Sequence, residues 1–267
     1  MAGRDLRAAT FWGAVVILAM DTSSALTSVA LVSAGHVVAA RTELDPRRHA
    51  EVLAPMINAV LDDGGVGGGD VDTLACGVGP GPYTGLRVAI ASARALGLAW
   101  SRPVVGVCSL DAMARAVLAA GCEGEFGVAS DARRREVYWA WYGGDGERQV
   151  GPQVARPDEI DERLRAGAWC GHGALLHRES FGSMLDDADD LLYPLAGWVG
   201  IRAGELLAAH VEVTGAGAVL SAHGEDGAGT SNALTGLRLL LPEPLYLRRP
   251  DAVEAAPTPP LNVGGTP

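Results

Sequence analysis

The chain has 267 residues, of which 48% are hydrophobic and 20% are charged, and its formal net charge is −11 at pH 7. This composition is typical of a globular protein with a substantial core and room for two domains. The acidic balance argues against a free-standing nucleic-acid-binding protein, and the scattered cysteines, with no Cys-x-x-Cys pair, argue against a disulfide framework or a zinc site.

Residues 1–14 are expected to be an N-terminal extension. Arg4 and Arg7 precede the apolar run 11–20, a pattern that superficially resembles a signal peptide. The run is too short to span a membrane, and Asp21 follows it directly. We therefore expect a cytoplasmic protein without a membrane segment.

The first half of the chain begins with three strand-like runs, 15–20, 27–32 and 36–41, which are separated by short polar turns. This spacing predicts an antiparallel meander. A helix is predicted over 49–61. The glycine-rich stretch 64–69 is interpreted as a surface connector, because no Lys-Ser/Thr follows it to complete a phosphate loop.

A strand, a rigid turn and a helix follow, and we assign them to 74–78, 79–82 and 86–99. The Gly-Pro-Gly-Pro turn combines fixed and permissive backbone angles, and with the helix N-terminus it offers N–H groups to an anion. Tyr83 or Thr84 is expected to cap the helix. The helix is apolar nearly all round, which predicts that it is covered on more than one side.

The second half repeats the layout of the first. After a strand over 104–107 and a helix over 110–119, for which Ser109 is the expected N-cap, a strand ending in Asp131 is followed by a turn and a second strand, 136–142. Two similar halves predict a duplicated α/β fold of the actin-like or sugar-kinase (ribonuclease H-like) type, with two lobes and mixed sheets flanked by helices.

The expected division is an N-terminal lobe that carries the partner-binding helices, a C-terminal lobe and a disordered tail, over residues 15–108, 109–250 and 251–267. Within the second lobe we expect a mobile stretch over 216–236, and a docked segment over 239–249 that returns to the N-terminal lobe.

In the actin-like fold, two such turns grip the phosphates of ATP through glycine-rich backbone, and their aspartates serve magnesium. Neither turn of this chain contains glycine. We therefore interpret Asp21, Thr22, Ser23 and Asp131 as degenerate phosphate-loop positions, and the two aspartates as caps of their own turns. The run 133–135, three successive arginines, is interpreted as a solvated turn, with contact to RNA or phosphate as the alternative.

Histidine spacing indicates no metal site. No two histidines lie four residues apart, and the residue four positions after His49 is Leu53. No Gly-x-Ser-x-Gly nucleophile motif is present either. We expect no catalytic residue, no metal and no cofactor.

Five segments, in order and correctly spaced, resemble the bacterial TsaB family: Ile17-Leu-Ala-Met-Asp-Thr-Ser24, Gly77-Val-Gly-Pro-Gly-Pro-Tyr-Thr-Gly-Leu-Arg87, Gly106-Val-Cys-Ser-Leu110, Asp131-Ala-Arg-Arg-Arg-Glu-Val-Tyr138 and Glu243-Pro-Leu-Tyr-Leu-Arg248. This family belongs to the machinery that makes threonylcarbamoyladenosine at position 37 of tRNA. The resemblance implies a non-catalytic subunit that pairs with the catalytic protein TsaD, while the ATPase TsaE joins the assembly and tRNA is met only through the complex. TsaD carries a His-x-x-x-His metal site on its first helix, of which this chain keeps only the first histidine.

The resemblance also implies that pairing, with TsaD or with a second copy, uses the first two helices of the N-terminal lobe. Small and apolar exposed residues mark such an interface. The alternative is that the lobe covers both helix faces itself, and the alternative function is an ATP-binding or peptidase-like (glycoprotease) enzyme of the same fold. The partner-binding residues we expect are His49, Val52, Leu53, Met56, Tyr83, Arg87, Ala91, Arg94 and Ala95.

Overall fold

The computed structural model describes residues 14–185, 189–214 and 240–247. The predicted mobile stretch 216–236, the tail 251–267 and nearly all of the N-terminal extension lie outside the described residues. The described strands are β1 (Val16–Asp21), β2 (Leu26–Ser33), β3 (His36–Leu44), β4 (Thr73–Gly77), β5 (Val104–Val107), β6 (Phe126–Asp131), β7 (Val137–Tyr142), β8 (Arg148–Ala155), β9 (Ala168–Cys170) and β10 (Ser183–Met184). The helices are α1 (His49–Gly64), α2 (Tyr83–Trp100), α3 (Ser109–Ala119), α4 (Glu162–Arg165), α5 (His172–Leu176), α6 (Asp189–Leu192) and α7 (Ala196–Thr214).

The first lobe is built on a five-stranded sheet with the order β3-β2-β1-β4-β5. Strands β1, β2 and β3 pair antiparallel in sequence, which confirms the predicted meander, and β4 and β5 join in parallel. Helices α1 and α2 pack on one face of this sheet and α7 packs on the other. Strand β1 is therefore buried on both faces, which explains its uninterrupted apolar sequence.

Alternation along β1 divides its side chains between these two layers. Leu18 and Met20 belong to the core beneath α1 and α2, whereas Ile17 and Ala19 pack with Val199 of α7 and its neighbours. Successive side chains of a strand point to opposite faces, so one short strand contributes to both cores.

The second lobe repeats this arrangement with the sheet order β10-β9-β6-β7-β8. Its strands β6, β7 and β8 form the same antiparallel meander as β1, β2 and β3, and β9 joins β6 in parallel. One core lies between this sheet and α3, and the other contains Trp139, Trp141, Trp169 and Phe181. The predicted duplicated, two-lobed actin-like fold is confirmed.

The segment 240–247 lies against the first lobe, beyond β5. The backbone of Leu240 exchanges hydrogen bonds of 2.8 and 3.0 Å with Gly106, and the N–H of Leu245 donates to the carbonyl of Val78 at 2.8 Å. Among the described residues, no helix has the length and apolar character needed to cross a lipid bilayer.

Candidate functional site

The first strand–turn–strand unit ends in a buried turn made by Asp21, Thr22 and Ser23. Asp21 Oδ1 accepts hydrogen bonds from the backbone N–H and the hydroxyl of Ser23, both at 2.7 Å. The aspartate thus caps its own turn, as the sequence predicts. All three residues are buried, with exposed fractions of 0%, 0% and 3%.

Ser109 connects this turn to the Gly-Pro loop. Its hydroxyl donates to Asp21 Oδ2 at 2.7 Å and accepts from the N–H of Gly79 at 3.2 Å. The prediction that Ser109 is the N-cap of α3 is wrong, because Cys108 occupies that position and Ser109 is the first helical residue. Burial raises the pKa of the Asp21 carboxyl, and the hydrogen bonds from Ser109 and Ser23 act in the opposite direction.

The turn is also bound to the start of α2. The Thr22 hydroxyl donates to the carbonyl of Gly85 at 2.7 Å and accepts from the N–H of Ala89 at 3.0 Å. Helix α2 begins at Tyr83 with Pro82 as its N-cap and without a side-chain capping bond, so the prediction that Tyr83 or Thr84 caps it is wrong.

Three glycines allow this close packing. A Cβ atom at Gly77 would overlap the Asp21 carboxylate, and one at Gly81 would overlap the carbonyl of Ser23. A Cβ atom at Gly85 would lie 2.5 Å from the Thr22 carbonyl. The glycines of the Gly-Pro motif therefore serve contacts within the chain, and the loop positions α2 against the first turn.

His49 and Leu53, the positions that resemble a metal-binding pair, are both used in packing. Leu53 is 2% exposed and lies in the core beneath α1. His49 is 6% exposed, and its Nδ1 lies 2.6 Å from the hydroxyl of Thr27. Burial lowers the pKa of His49. Both residues are predicted partner-binding positions; their side chains are buried and offer very little surface to a partner, and the partner-binding role stays a prediction.

Among the residues that the structure describes, no group of three or more His, Cys, Asp or Glu side chains is placed to hold a metal ion.

Helix α2 buries one face and exposes the other. The buried side consists of Gly85, Leu86, Ala89, Ile90, Ala93 and Gly97. On the opposite side, beyond the first turn of the helix, Ala91, Arg94, Ala95 and Leu98 are exposed, so the described residues do not meet the prediction of cover on more than one side. Leu98 is 70% exposed there. We name this surface, with the outer side of α1, the α1/α2 face: Val52, Pro55 and Met56 of α1 with Arg87, Ala91, Arg94, Ala95 and Leu98 of α2.

The α1 part of this face borders a groove of about 350 Å³ beside strand β3. Val52 and Met56 are half-buried and Pro55 is exposed, and the charged side chains of Arg48 and Glu51 line the same groove. The α1 part of the face thus combines apolar and charged side chains, as protein interfaces commonly do.

Tyr83 and Arg87 have a further contact that sequence reasoning missed. Tyr83 stacks on Tyr246 with ring centroids 4.8 Å apart, and Arg87 Cζ lies 3.9 Å from the centre of the Tyr83 ring. Arg87 Nε donates to the hydroxyl of Tyr246 at 3.0 Å, across 159 residues of sequence. The two residues therefore hold segment 240–247 against the N-terminus of α2.

The second turn, after β6, is exposed. Asp131 Oδ1 accepts from the N–H of Arg133 at 2.8 Å, so this aspartate also caps its own turn, as predicted. Arg133, Arg134 and Arg135 have φ angles of 61°, 54° and 63°, and all three are exposed. No local sequence signal indicates left-handed backbone here, because none of the three is Gly, Asn or Asp.

These observations define a duplicated actin-like α/β protein whose first turn is hydrogen-bonded by its own side chains and whose first lobe, among the described residues, has an exposed helical face. Comparison with known proteins agrees with this class. Residues 34–168 match the family model of TsaD, described as tRNA N6-adenosine threonylcarbamoyltransferase. The chain is 36% identical over 164 residues to the tRNA threonylcarbamoyladenosine biosynthesis protein TsaB of Escherichia coli, a match covering 57% of this chain and 68% of that relative.

Solved structures agree as well. YeaZ from Pseudomonas aeruginosa superposes with a TM-score of 0.62 at 34% identity, covering 73% of this chain and 93% of that one. A second structure, of an uncharacterized protein with similarity to peptidase YeaZ from Pseudomonas aeruginosa, gives a TM-score of 0.64 at 30% identity over 88% of this chain and 100% of the other. The chain belongs to the TsaB (YeaZ) family.

Proposed function

We propose that this chain is a non-catalytic subunit in the synthesis of N6-threonylcarbamoyladenosine in tRNA. In this proposal it binds a TsaD-type threonylcarbamoyltransferase through the α1/α2 face and supports binding of the ATPase TsaE, in the cytoplasm. The biosynthetic step is that of its relative TsaB in Escherichia coli, which is named as a threonylcarbamoyladenosine biosynthesis protein.

The observation that carries the proposal is the uncovered face of α2. Ala91 and Ala95 are exposed on consecutive turns of the helix, and Leu98 continues the same side with 70% of its surface exposed. Small side chains let another backbone approach closely, and an exposed contiguous apolar surface is typical of a protein–protein interface. Arg87 and Arg94 on the same side could supply polar contacts to the partner.

The use of the enzyme-like positions in packing supports a non-catalytic role. Asp21 is fully buried and receives three hydrogen bonds from Ser23 and Ser109. Leu53 stands in the core at the position where a second histidine would be needed for a helical metal pair. Both side chains are therefore buried in contacts that stabilise the fold.

Co-purification with the TsaD-type enzyme of the same organism tests the interface. We expect the double variant Ala91→Glu, Ala95→Glu to bind at least about a hundredfold more weakly, because each carboxylate would be buried in the contact. The matched control is Ala119→Glu, Ala208→Glu, which changes two exposed alanines on α3 and α7. Unchanged binding by the first variant, or equal loss in the control, would refute the assigned face.

A second experiment tests whether the α1/α2 face binds another copy of this chain instead of the TsaD-type enzyme. Sedimentation of the chain alone should show whether the α1/α2 face also forms a homodimer, which the Ala91 and Ala95 substitutions would disrupt. A homodimer that the enzyme cannot displace would contradict the proposal.

A direct assay tests the non-catalytic role. The purified chain alone should show no turnover of ATP and no cleavage of a glycoprotein substrate. Robust turnover that disappears in Asp21→Ala, while the variant remains folded, would establish the enzymatic alternative instead.

A further inference from the structure

The turns of the two strand–turn–strand units differ in burial and in bonding. In the first lobe, the turn after β1 is buried and bonded to α2 and α3 through Thr22 and Asp21. In the second lobe, the equivalent turn after β6 carries Arg133, Arg134 and Arg135 and is exposed. The first turn is thus buried within the chain, whereas the second has three arginine side chains at the exposed surface.

The backbone of the second turn is held in an unfavourable conformation. Arg133, Arg134 and Arg135 all have left-handed φ angles, between 54° and 63°, which residues other than glycine seldom adopt consecutively. The N–H of Glu136 donates to the carbonyl of Arg133 at 2.9 Å, closing a tight hairpin. Glycine or asparagine would suit this turn better, so three bulky cations at these positions indicate a use for their side chains.

The charge of the turn is opposite in sign to that of the chain as a whole. The chain has a net charge of −11, and this is its longest run of basic residues. The Asp131 carboxylate partly offsets it through an ion pair of 3.5 Å with Arg133, whose side chain is 63% exposed. An exposed pair of this kind contributes little, so a phosphate can compete for the guanidinium.

We infer that the β6–β7 hairpin tip, residues Arg133 to Arg135, binds the phosphate backbone of tRNA. Arginine is suited to this because its planar guanidinium donates two parallel hydrogen bonds to a phosphate. The inference rests on the proposed function, which supplies the RNA, and deepens it by assigning a separate surface on the second lobe. Because the chain as a whole is acidic, we expect strong binding only when the enzyme partner adds its own surface.

The effect of removing the three cations follows from counterion release. Each phosphate contact contributes about 0.9 to the slope of log K against log salt, which amounts to about a fivefold change in affinity per contact at 0.15 M salt. The triple variant Arg133→Gln, Arg134→Gln, Arg135→Gln should therefore bind tRNA about a hundredfold more weakly and show a slope reduced by about 2.7.

The test measures binding of a fluorescent, unmodified tRNA transcript across a salt series, with the full chain alone and with the chain plus the TsaD-type enzyme. The matched control changes three exposed arginines elsewhere on the second lobe, Arg156→Gln, Arg163→Gln and Arg178→Gln, and so makes the same change in net charge. A third variant with lysine at all three turn positions should restore most of the salt dependence, since it restores the charge.

The results separate the inference from the proposed function. If the turn variant co-purifies with the enzyme but binds tRNA as the native chain does, or no more weakly than the control, the inference is refuted while the proposed interface stands. If chain and enzyme do not associate, the proposed function fails. In that case the inference requires that the chain alone binds tRNA and that the arginine-to-glutamine turn variant binds it more weakly. If the chain alone shows no such difference, the inference is refuted. Displacement of tRNA by polyglutamate at equal charge would assign the turn to an acidic protein instead.

Discussion

Replacing Ser109 with alanine should destabilise the fold by about 3 kcal/mol, because one buried hydroxyl joins three elements of the structure. Ser109 is 1% exposed, and its hydroxyl lies 2.7 Å from Asp21 Oδ2 and 3.2 Å from the nitrogen of Gly79. The variant loses a hydrogen bond to a buried carboxyl, worth about 1.5–3 kcal/mol if ionised, and leaves a buried N–H unpaired, at a further cost of about 1–3 kcal/mol. For a domain of this size the midpoint of thermal unfolding should fall by about 6–12 °C.

The loss should grow with pH. Burial raises the pKa of Asp21 in the folded chain above its ordinary value of 3.8. Between that value and the folded pKa, the native state binds more protons than the unfolded state, so stability falls as pH rises and the full cost is present above the folded pKa. The Ser109 hydroxyl stabilises the ionised form. The gap in unfolding free energy between native chain and variant should therefore widen as pH rises through the folded pKa of Asp21.

Urea unfolding, followed by tryptophan fluorescence over a pH series, measures both effects. Ser33→Ala is the matched control, because Ser33 is 2% exposed and its hydroxyl has no hydrogen-bond partner within the described part of the chain. That control should change stability by less than about 1 kcal/mol. The reasoning is refuted if Ser33→Ala costs as much as Ser109→Ala, or if the Ser109→Ala gap stays constant with pH.

Three further substitutions test the close packing and the strained turn. Gly85→Ala should lower the free energy of unfolding by about 1–3 kcal/mol in a thermal-unfolding experiment, because the added Cβ would lie 2.5 Å from the backbone carbonyl of Thr22. The control Gly69→Ala should be nearly neutral, because nothing lies within 4 Å of the added Cβ. Equal effects of the two substitutions would contradict the proposed contact. Arg134→Gly and Arg135→Gly should each raise stability by up to about 1 kcal/mol, because glycine adopts positive φ without steric cost; a lower unfolding temperature would show that the turn is not strained.

Much of the fold could be predicted from the sequence because its signals are local. Strand β1 is an apolar run ended by Asp21, and strand β6 is a run ended by Asp131, each followed by a turn and a second strand. Such repetition at two places in one chain is enough to predict a duplicated fold. The sequence does not predict strand β8, because this strand lies at the edge of its sheet, is only partly buried and lacks a continuous apolar run.

The candidate site was less predictable because it depends on contacts between distant residues. The hydrogen bond from Ser109 to Asp21 spans 88 residues. The local sequence therefore predicts that the serine caps the helix, whereas its hydroxyl donates to the end of strand β1. The contact of Arg87 with Tyr246 spans 159 residues. The sequence around His49 and Leu53 does not indicate which way their side chains point, because helix periodicity identifies a buried face only when polar residues occupy the opposite face.

The two turns differ in burial, and this difference assigns the two proposed binding activities to different lobes. Thr22 bonds the first turn to the start of α2, so in the first lobe this turn orients the helix that carries the exposed face. The turn of the second lobe has Arg133, Arg134 and Arg135 at the exposed surface, where our inference assigns contact with a polyanion. If enzyme binding belongs to one lobe and RNA binding to the other, the Ala91, Ala95 variant should lose enzyme binding with its own tRNA affinity unchanged, and the arginine variant should do the reverse. Because the two sets of substitutions change separate surfaces, the combined variant should show the enzyme-binding loss of the first and the chain-alone tRNA-binding loss of the second, each of the same size as in the separate variants.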